Sequence, residues 1–165
     1  MKIRDVMVRD VVAIDPSASL AEAAQLMQEA NVGILPVVEE GQVCGVITDR
    51  DLVVRAIAVG ADLTSTPVGE CATGDPVVAH PDWSLDQAME TMARAQIGRL
   101  PVIDDDNTLA GIVTLGSLAL RAKKDKQTLA AAKEVSRRSV KVMASRRAPA
   151  TQGKRGAARP RKRAS

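Results

Sequence analysis

Gly33-Ile34-Leu35-Pro36-Val37 returns as Gly98-Arg99-Leu100-Pro101-Val102, 65 residues further along the chain. The match extends outward from there. Upstream, Pro16, Ser19, Leu20, Ala23, Met27 and Ala30 meet Pro81, Ser84, Leu85, Ala88, Met92 and Ala95 at the same offset. Downstream, the second copy has one extra loop residue. Gly45, Thr48, Leu52 and Arg55 then meet Gly111, Thr114, Leu118 and Arg121 at an offset of 66. Matches this dense and in fixed order mark an internal duplication, so the body is one fold written twice.

Each copy carries the same local signals. A short apolar run (Val11 to Ile14; Val77 to Ala79) reads as a first strand that stops at a proline. Ser19-Leu20-Ala21-Glu22 and Ser84-Leu85-Asp86-Gln87 are capping boxes. Leu20, Ala23, Ala24 and Met27 follow at helical spacing, as do Leu85, Ala88, Met89 and Met92. Ile34 to Val38 and Leu100 to Ile103 are β-rich, and polar turns separate them from returning strands at Val43 to Ile47 and Leu109 to Val113. A second helix starts near Asp49 and near Leu115. The expected class is α+β: two tandem β-α-β-β-α repeats related by a pseudo-twofold axis. The expected division is 1–60 for the first repeat, 61–122 for the second, 123–137 for a helical extension and 138–165 for a disordered basic tail. A repeat of about 60 residues has a marginal core alone. Two copies cover each other's apolar faces, and their junction forms two equivalent clefts suited to ligands.

Charge is divided along the 165 residues. Residues 1–136 hold 12 Lys/Arg against 20 Asp/Glu, whereas residues 137–165 hold 11 Lys/Arg and no acid. The formal net charge of +3 therefore describes neither part. The tail has no Leu, Ile or Val after Met143 and cannot offset its ordering entropy by burial. It reads either as a solubilising extension or as an arm for nucleic acid or another polyanion. Trp83 is the only aromatic, which excludes modules that stack bases on several rings. No apolar run reaches the roughly 18 residues of a membrane span, and the N-terminus lacks signal-peptide character. The expected compartment is the cytoplasm.

The chemistry concentrates in Gly45-Val46-Ile47-Thr48-Asp49-Arg50-Asp51, where a strand runs into a helix. Gly45 permits close approach of backbone or ligand. Thr48 sits where free N–H groups favour anionic oxygen. Asp51, in the first turn, could accept two hydrogen bonds from a ribose diol. The same Thr-x-x-Asp is also a capping box whose members satisfy each other. Cys44 and Cys71 form no disulfide framework, and with His80 they form no zinc site. Cys44 reads as a small filler in a buried strand, Cys71 as the more exposed of the two, and His80 as a turn residue. Asp104-Asp105-Asp106 lacks the alternating ligands of a calcium loop. Trp83 reads as a residue near a helix start. There is no nucleophile paired with a base, so no enzyme activity and no catalytic cofactor are expected.

Taken together, Asp5-Val6-Met7, Gly33 to Val37, Gly45 to Asp51, Gly98 to Val102 and Gly111-Ile112-Val113-Thr114 resemble a tandem pair of CBS domains, the Bateman module. The resemblance covers about residues 1–122. It implies a regulatory module that binds AMP, ADP, ATP or S-adenosylmethionine between the repeats and signals by conformational change. It further implies that Thr48 and Asp51 hold ribose and phosphate, that Val46 and Val77 sandwich the base, and that Arg99 meets the phosphates. The second cleft would centre on Thr114, but Ser117 stands there in place of the carboxylate, so that cleft is expected to be weak or empty. Such modules associate as disc-like dimers, and Leu52, Val53, Ala56 and Ile57 would line a homodimer contact. The alternative is a nucleic-acid-associated protein that works through its tail, with the repeats as a dimerising scaffold.

Overall fold

The computed structural model describes residues 1–121 and 129–135. After a 3-10 turn at Ile3–Asp5, the first repeat comprises α1 (Leu20–Glu29), β1 (Ile34–Glu39), β2 (Gln42–Thr48) and α2 (Asp49–Asp51). α2 continues as a π-helical turn over Leu52–Ala56, where the Ile57 N–H reaches back to the Leu52 carbonyl, and then as a 3-10 turn over Ile57–Val59. α3 (Val68–Cys71) and β3 (Thr73–Gly74) lead into the second repeat: α4 (Leu85–Ala95), β4 (Arg99–Ile103), β5 (Leu109–Thr114) and α5 (Leu115–Arg121). Residues 129–135 are helical, and Ala131 packs on the second repeat's core. The tail assigned to 138–165 lies outside the described residues.

Both capping boxes form as read. Ser19 Oγ accepts from the Glu22 N–H at 3.2 Å while Glu22 Oε2 accepts from the Ser19 N–H at 2.7 Å. Ser84 and Gln87 repeat the exchange. The buried residues Leu20, Ala23 and Met27, and Leu85, Ala88, Met89 and Met92, are the apolar stripes of α1 and α4. β1 and β2 are joined by Glu40 and Gly41, both at positive φ, which gives the turn a twist matching the hairpin.

The expected first strands shrink to single parallel bridges, Ile14 with Val37 and Ala79 with Val102. The cause lies in the Leu-Pro of each repeat. Ile14 N–H donates to the Pro36 carbonyl and Val38 N–H donates to the Ile14 carbonyl. The next rung would need an N–H from Pro36, which proline lacks. Pro101 stops the ladder beside Ala79 in the same way.

The two repeats exchange their leading segments. Ile3 lies in the core of Ala79, Leu85, Met92, Leu100 and Val113, whereas Val68 and Cys71 lie in the core of Ile14, Leu20, Leu35 and Ile47. The bonds repeat as well. Ile3 N–H donates to the Trp83 carbonyl and Arg4 N–H to the Pro81 carbonyl. At the matching places Val68 N–H donates to the Ala18 carbonyl and Gly69 N–H to the Pro16 carbonyl. Burial of Ile3 or Val68 stabilises by roughly 1.5–3 kcal/mol, so each repeat is completed by chain that precedes the other. The crossing segments explain two glycines. A Cβ at Gly111 would stand 2.7 Å from the Val8 carbonyl oxygen, and one at Gly45 would stand 3.0 Å from the Thr73 carbonyl oxygen.

Two cysteine expectations are corrected. Cys44 is exposed, because the period-two alternation of β2 sends Val43, Gly45 and Ile47 inward and Cys44 outward. Cys71 is buried, because α3 closes the first repeat's core. Trp83 is half-buried against the second core and meets His80 in a tilted ring contact with centroids 5.7 Å apart.

A candidate ligand cleft between the repeats

The junction of β2 and α2 sets the site. Thr48 has extended backbone and caps the helix. Its N–H and hydroxyl both donate to Asp51 Oδ2, at 2.9 and 2.7 Å, and its Oγ1 accepts from the Asp51 N–H at 3.2 Å. The capping box therefore forms. It engages one carboxylate oxygen and leaves Oδ1 facing Arg55 Nε at 3.4 Å. The Asp49 N–H donates to the Gly33 carbonyl at 3.2 Å, which ties the helix start to the strand before it. A Cβ at Gly33 would lie 2.8 Å from an Asp49 carboxylate oxygen, so the Asp49 side chain would have to shift.

Beside this junction lies a cleft of about 630 Å³. Gly33, Ile34, Val46, Thr48, Asp51 and Arg55 line one side, and Pro76, Val77, Ile97, Gly98, Arg99 and Pro101 line the other. Both repeats therefore contribute: the first wall is largely polar and charged with Ile34 and Val46 among it, and the second is mainly apolar. Of the residues singled out in the sequence, Val46, Thr48, Asp51, Val77 and Arg99 come together here. Val77 is 44% exposed, and Pro101, which has no N–H, can give it no ladder bond. Gly45 lies behind the lining, where Thr73 backbone crosses it. Thr114 lies outside this cleft. Its N–H donates to Ser117 Oγ at 3.1 Å, its Oγ1 accepts from the Ser117 N–H at 3.0 Å, and the Ser117 hydroxyl donates to the Thr114 carbonyl at 2.8 Å.

The sequence reading had not placed Arg50, Asp75 and Gln96 at the site, yet all three line the cleft. Arg55 was seen only as a repeat match. It lines the cleft and donates from Nη1 to the Cys71 carbonyl at 3.0 Å and to Thr73 Oγ1 at 3.2 Å. Among the described residues, neither Arg50 nor Arg99 forms an ion pair. A second hollow, of about 490 Å³, is lined by Arg4, Arg9, Asp82 and the Asp104–Asp106 turn. Part of its charge is already matched, since Arg4 and Lys2 both pair with Asp82. No three His, Cys, Asp or Glu side chains among the described residues are grouped to hold a metal. No helix among the described residues is long and apolar enough to cross a membrane.

Comparison with known proteins identifies the fold. The chain is 39% identical over 138 residues to CBS domain-containing protein YhcV of Bacillus subtilis, which covers 84% of this chain and 97% of that protein. The CBS domain pair of protein MJ0100, solved in complex with 5-methylthioadenosine and S-adenosyl-L-methionine, superposes with a TM-score of 0.66 at 27% identity, over 73% of this chain and 94% of that one. CBSX2, solved in complex with AMP, superposes with a TM-score of 0.65 at 28% identity, over 73% and 95%. The CBS domain family matches residues 3–57 and again 68–123. The chain belongs to the CBS-domain family and is a tandem CBS pair.

Proposed function

We propose that the chain is a regulatory sensor that binds an adenosine-containing ligand (AMP, ADP, ATP or S-adenosylmethionine) in the cleft between its repeats. The observation that carries this is the convergence of Val46, Thr48 and Asp51 from one repeat with Val77 and Arg99 from the other around a single hollow. The aliphatic Val46 and Val77 suit the two faces of a purine. Asp51 Oδ1 is an acceptor for a sugar hydroxyl, and the unpaired guanidinium of Arg99 suits a phosphate. Occupancy draws on both repeats at once, so it shifts their relative arrangement by its differential affinity for the two arrangements. A partner, or a second copy of the chain, reads that shift. Of the four residues expected at a homodimer contact, Leu52 and Ala56 are buried in the first core instead, while Val53 and Ile57 are exposed and suit such a contact. The cytoplasm, where adenine nucleotides are made and consumed, suits this role.

The second reading rests on composition. The 11 basic residues of 137–165, unbroken by acid, suit a polyanion such as nucleic acid. One calorimetric series addresses both. AMP, ATP, S-adenosylmethionine and duplex DNA are titrated into the full chain, into Arg99→Ala and into a variant lacking 137–165. We expect at least one adenosine ligand to bind, and Arg99→Ala to weaken the phosphorylated ligands by about tenfold or more, as loss of a charge-assisted hydrogen bond does. Truncation leaves that binding intact and abolishes any salt-sensitive DNA binding. Failure of all three adenosine ligands to bind the full chain refutes the sensor.

A further inference from the structure

We infer that Arg55 is a positioning residue that gives the cleft its preference for ribose over deoxyribose. The inference rests on the ligand reading above and adds to it the group that fixes the accepting oxygen. The two oxygens of Asp51 have different surroundings. Oδ2 takes two hydrogen bonds from Thr48 at 2.9 and 2.7 Å. Among the described residues, Oδ1 has Arg55 Nε as its ion-pair partner, at 3.4 Å. A carboxylate oxygen accepts about two hydrogen bonds, so Oδ1 is the one with capacity for a sugar hydroxyl.

Arg55 is exposed, but hydrogen bonds tether its guanidinium, unlike the free surface cation whose ion pair contributes little. Its Nη1 is held by the Cys71 carbonyl at 3.0 Å and by Thr73 Oγ1 at 3.2 Å. Both anchors are firm. Cys71 is buried in the first core, and Thr73 pairs with Val46 in the sheet. The guanidinium therefore spans from the cleft acid to the segment that continues through Asp75 and Pro76 to Val77 on the opposite wall. Its Nε stands 3.4 Å from Oδ1 as an ion-pair partner, which in the proposal orients that oxygen for a sugar hydroxyl from the cleft. The matching positions of the second repeat are Ser117 and Arg121, where the carboxylate is missing. The device belongs to one cleft only.

The test is a set of affinity ratios. AMP, ATP and S-adenosylmethionine are each compared with their 2′-deoxy and 3′-deoxy counterparts on the wild type, Arg55→Met and Arg55→Lys. Thermal unfolding of each variant confirms that it is folded. Wild type should favour the ribose form over at least one deoxy form by about tenfold or more, the scale of a hydrogen bond to a charged group. In Arg55→Met the ribose form weakens, the deoxy form does not, and the ratio falls towards one. Arg55→Lys keeps the charge without the fork, supplies a folded alternative if Met is not tolerated, and should give an intermediate ratio. A purely structural Arg55 would weaken all sugars equally, and an unchanged ratio overturns the inference while leaving the ligand site standing. Absence of any ribose-ligand binding in wild type overturns the ligand site itself, a distinguishable failure.

Discussion

Thr48 and Asp51 close a cap on themselves through Oδ2, and the proposed ligand role rests on Oδ1, which no Thr48 hydrogen bond occupies. Both the cap and the ligand role were available in the sequence, because Thr-x-x-Asp at a strand-to-helix junction admits either. Arg99 and Val77 entered through the family resemblance alone, and the fold brings both to the cleft lining. Arg55 was not legible in the sequence, because its anchors lie 16 and 18 residues away on a segment that had no local signal. Cys44 was misread for a different reason. A run of apolar residues was taken as buried on both faces, when alternation along β2 leaves one face open.

A capping acid on α1 gives a residue-scale expectation about pH. Glu22 is held below the usual carboxylate range, first by the Ser19 N–H and then by the Ser19 hydroxyl. A depressed folded-state pKa contributes stability that is present above the unfolded pKa and fades as pH falls through the folded one. Wild type should therefore exceed Glu22→Gln in urea midpoint at pH 7. The gap should close progressively below about pH 5, where free glutamate begins to protonate. A gap that is constant from pH 7 to pH 3 would contradict this assignment. Asp15 and Asp62, held down by Ser17 and by Thr64 respectively, add loss of the same sign in the same acid range.

At the scale of elements, the hairpins, the two long helices and their caps follow from patterns a few residues wide. Such patterns are complete within the sequence window. The first strands did not follow, because their length is set by a proline in another strand. The turns at Ile3–Asp5 and Val68–Cys71 are too short to declare themselves by periodicity, and their stability comes from burial in the opposite repeat's core. The stop imposed by Pro101 leads to a prediction. Pro101→Ala restores the N–H that faces the Val77 carbonyl. The added hydrogen bond stabilises by about 1 kcal/mol, and removal of proline costs about 0.4–1 kcal/mol through the unfolded chain. The two nearly cancel, so unfolding midpoints should barely move. The residue 101 amide should become slow to exchange, and ligand affinity should fall as Val77 is drawn into the ladder. Fast exchange at residue 101 with unaltered affinity would show that the proline does not set the wall.

For the whole molecule, the exchange of leading segments makes the two repeats one unit. Ile3 cannot leave the second core, nor Val68 the first, without exposing an apolar surface. The cleft sits on that shared framework, and its two walls belong to different repeats. The duplication made this architecture legible, since two marginal units must cover each other. The inequality of the two halves was legible only in part. Ser117 in place of an acid was plain in the sequence. The closed ring of hydrogen bonds between Thr114 and Ser117 required the fold.

The most direct measurement is amide hydrogen exchange across the full chain, with and without a saturating amount of whichever adenosine ligand binds best. The account predicts new protection at 46–51, 75–77 and 96–99 together, with 112–117 unchanged. Protection confined to 112–117, confined to 137–165, or absent everywhere would contradict it.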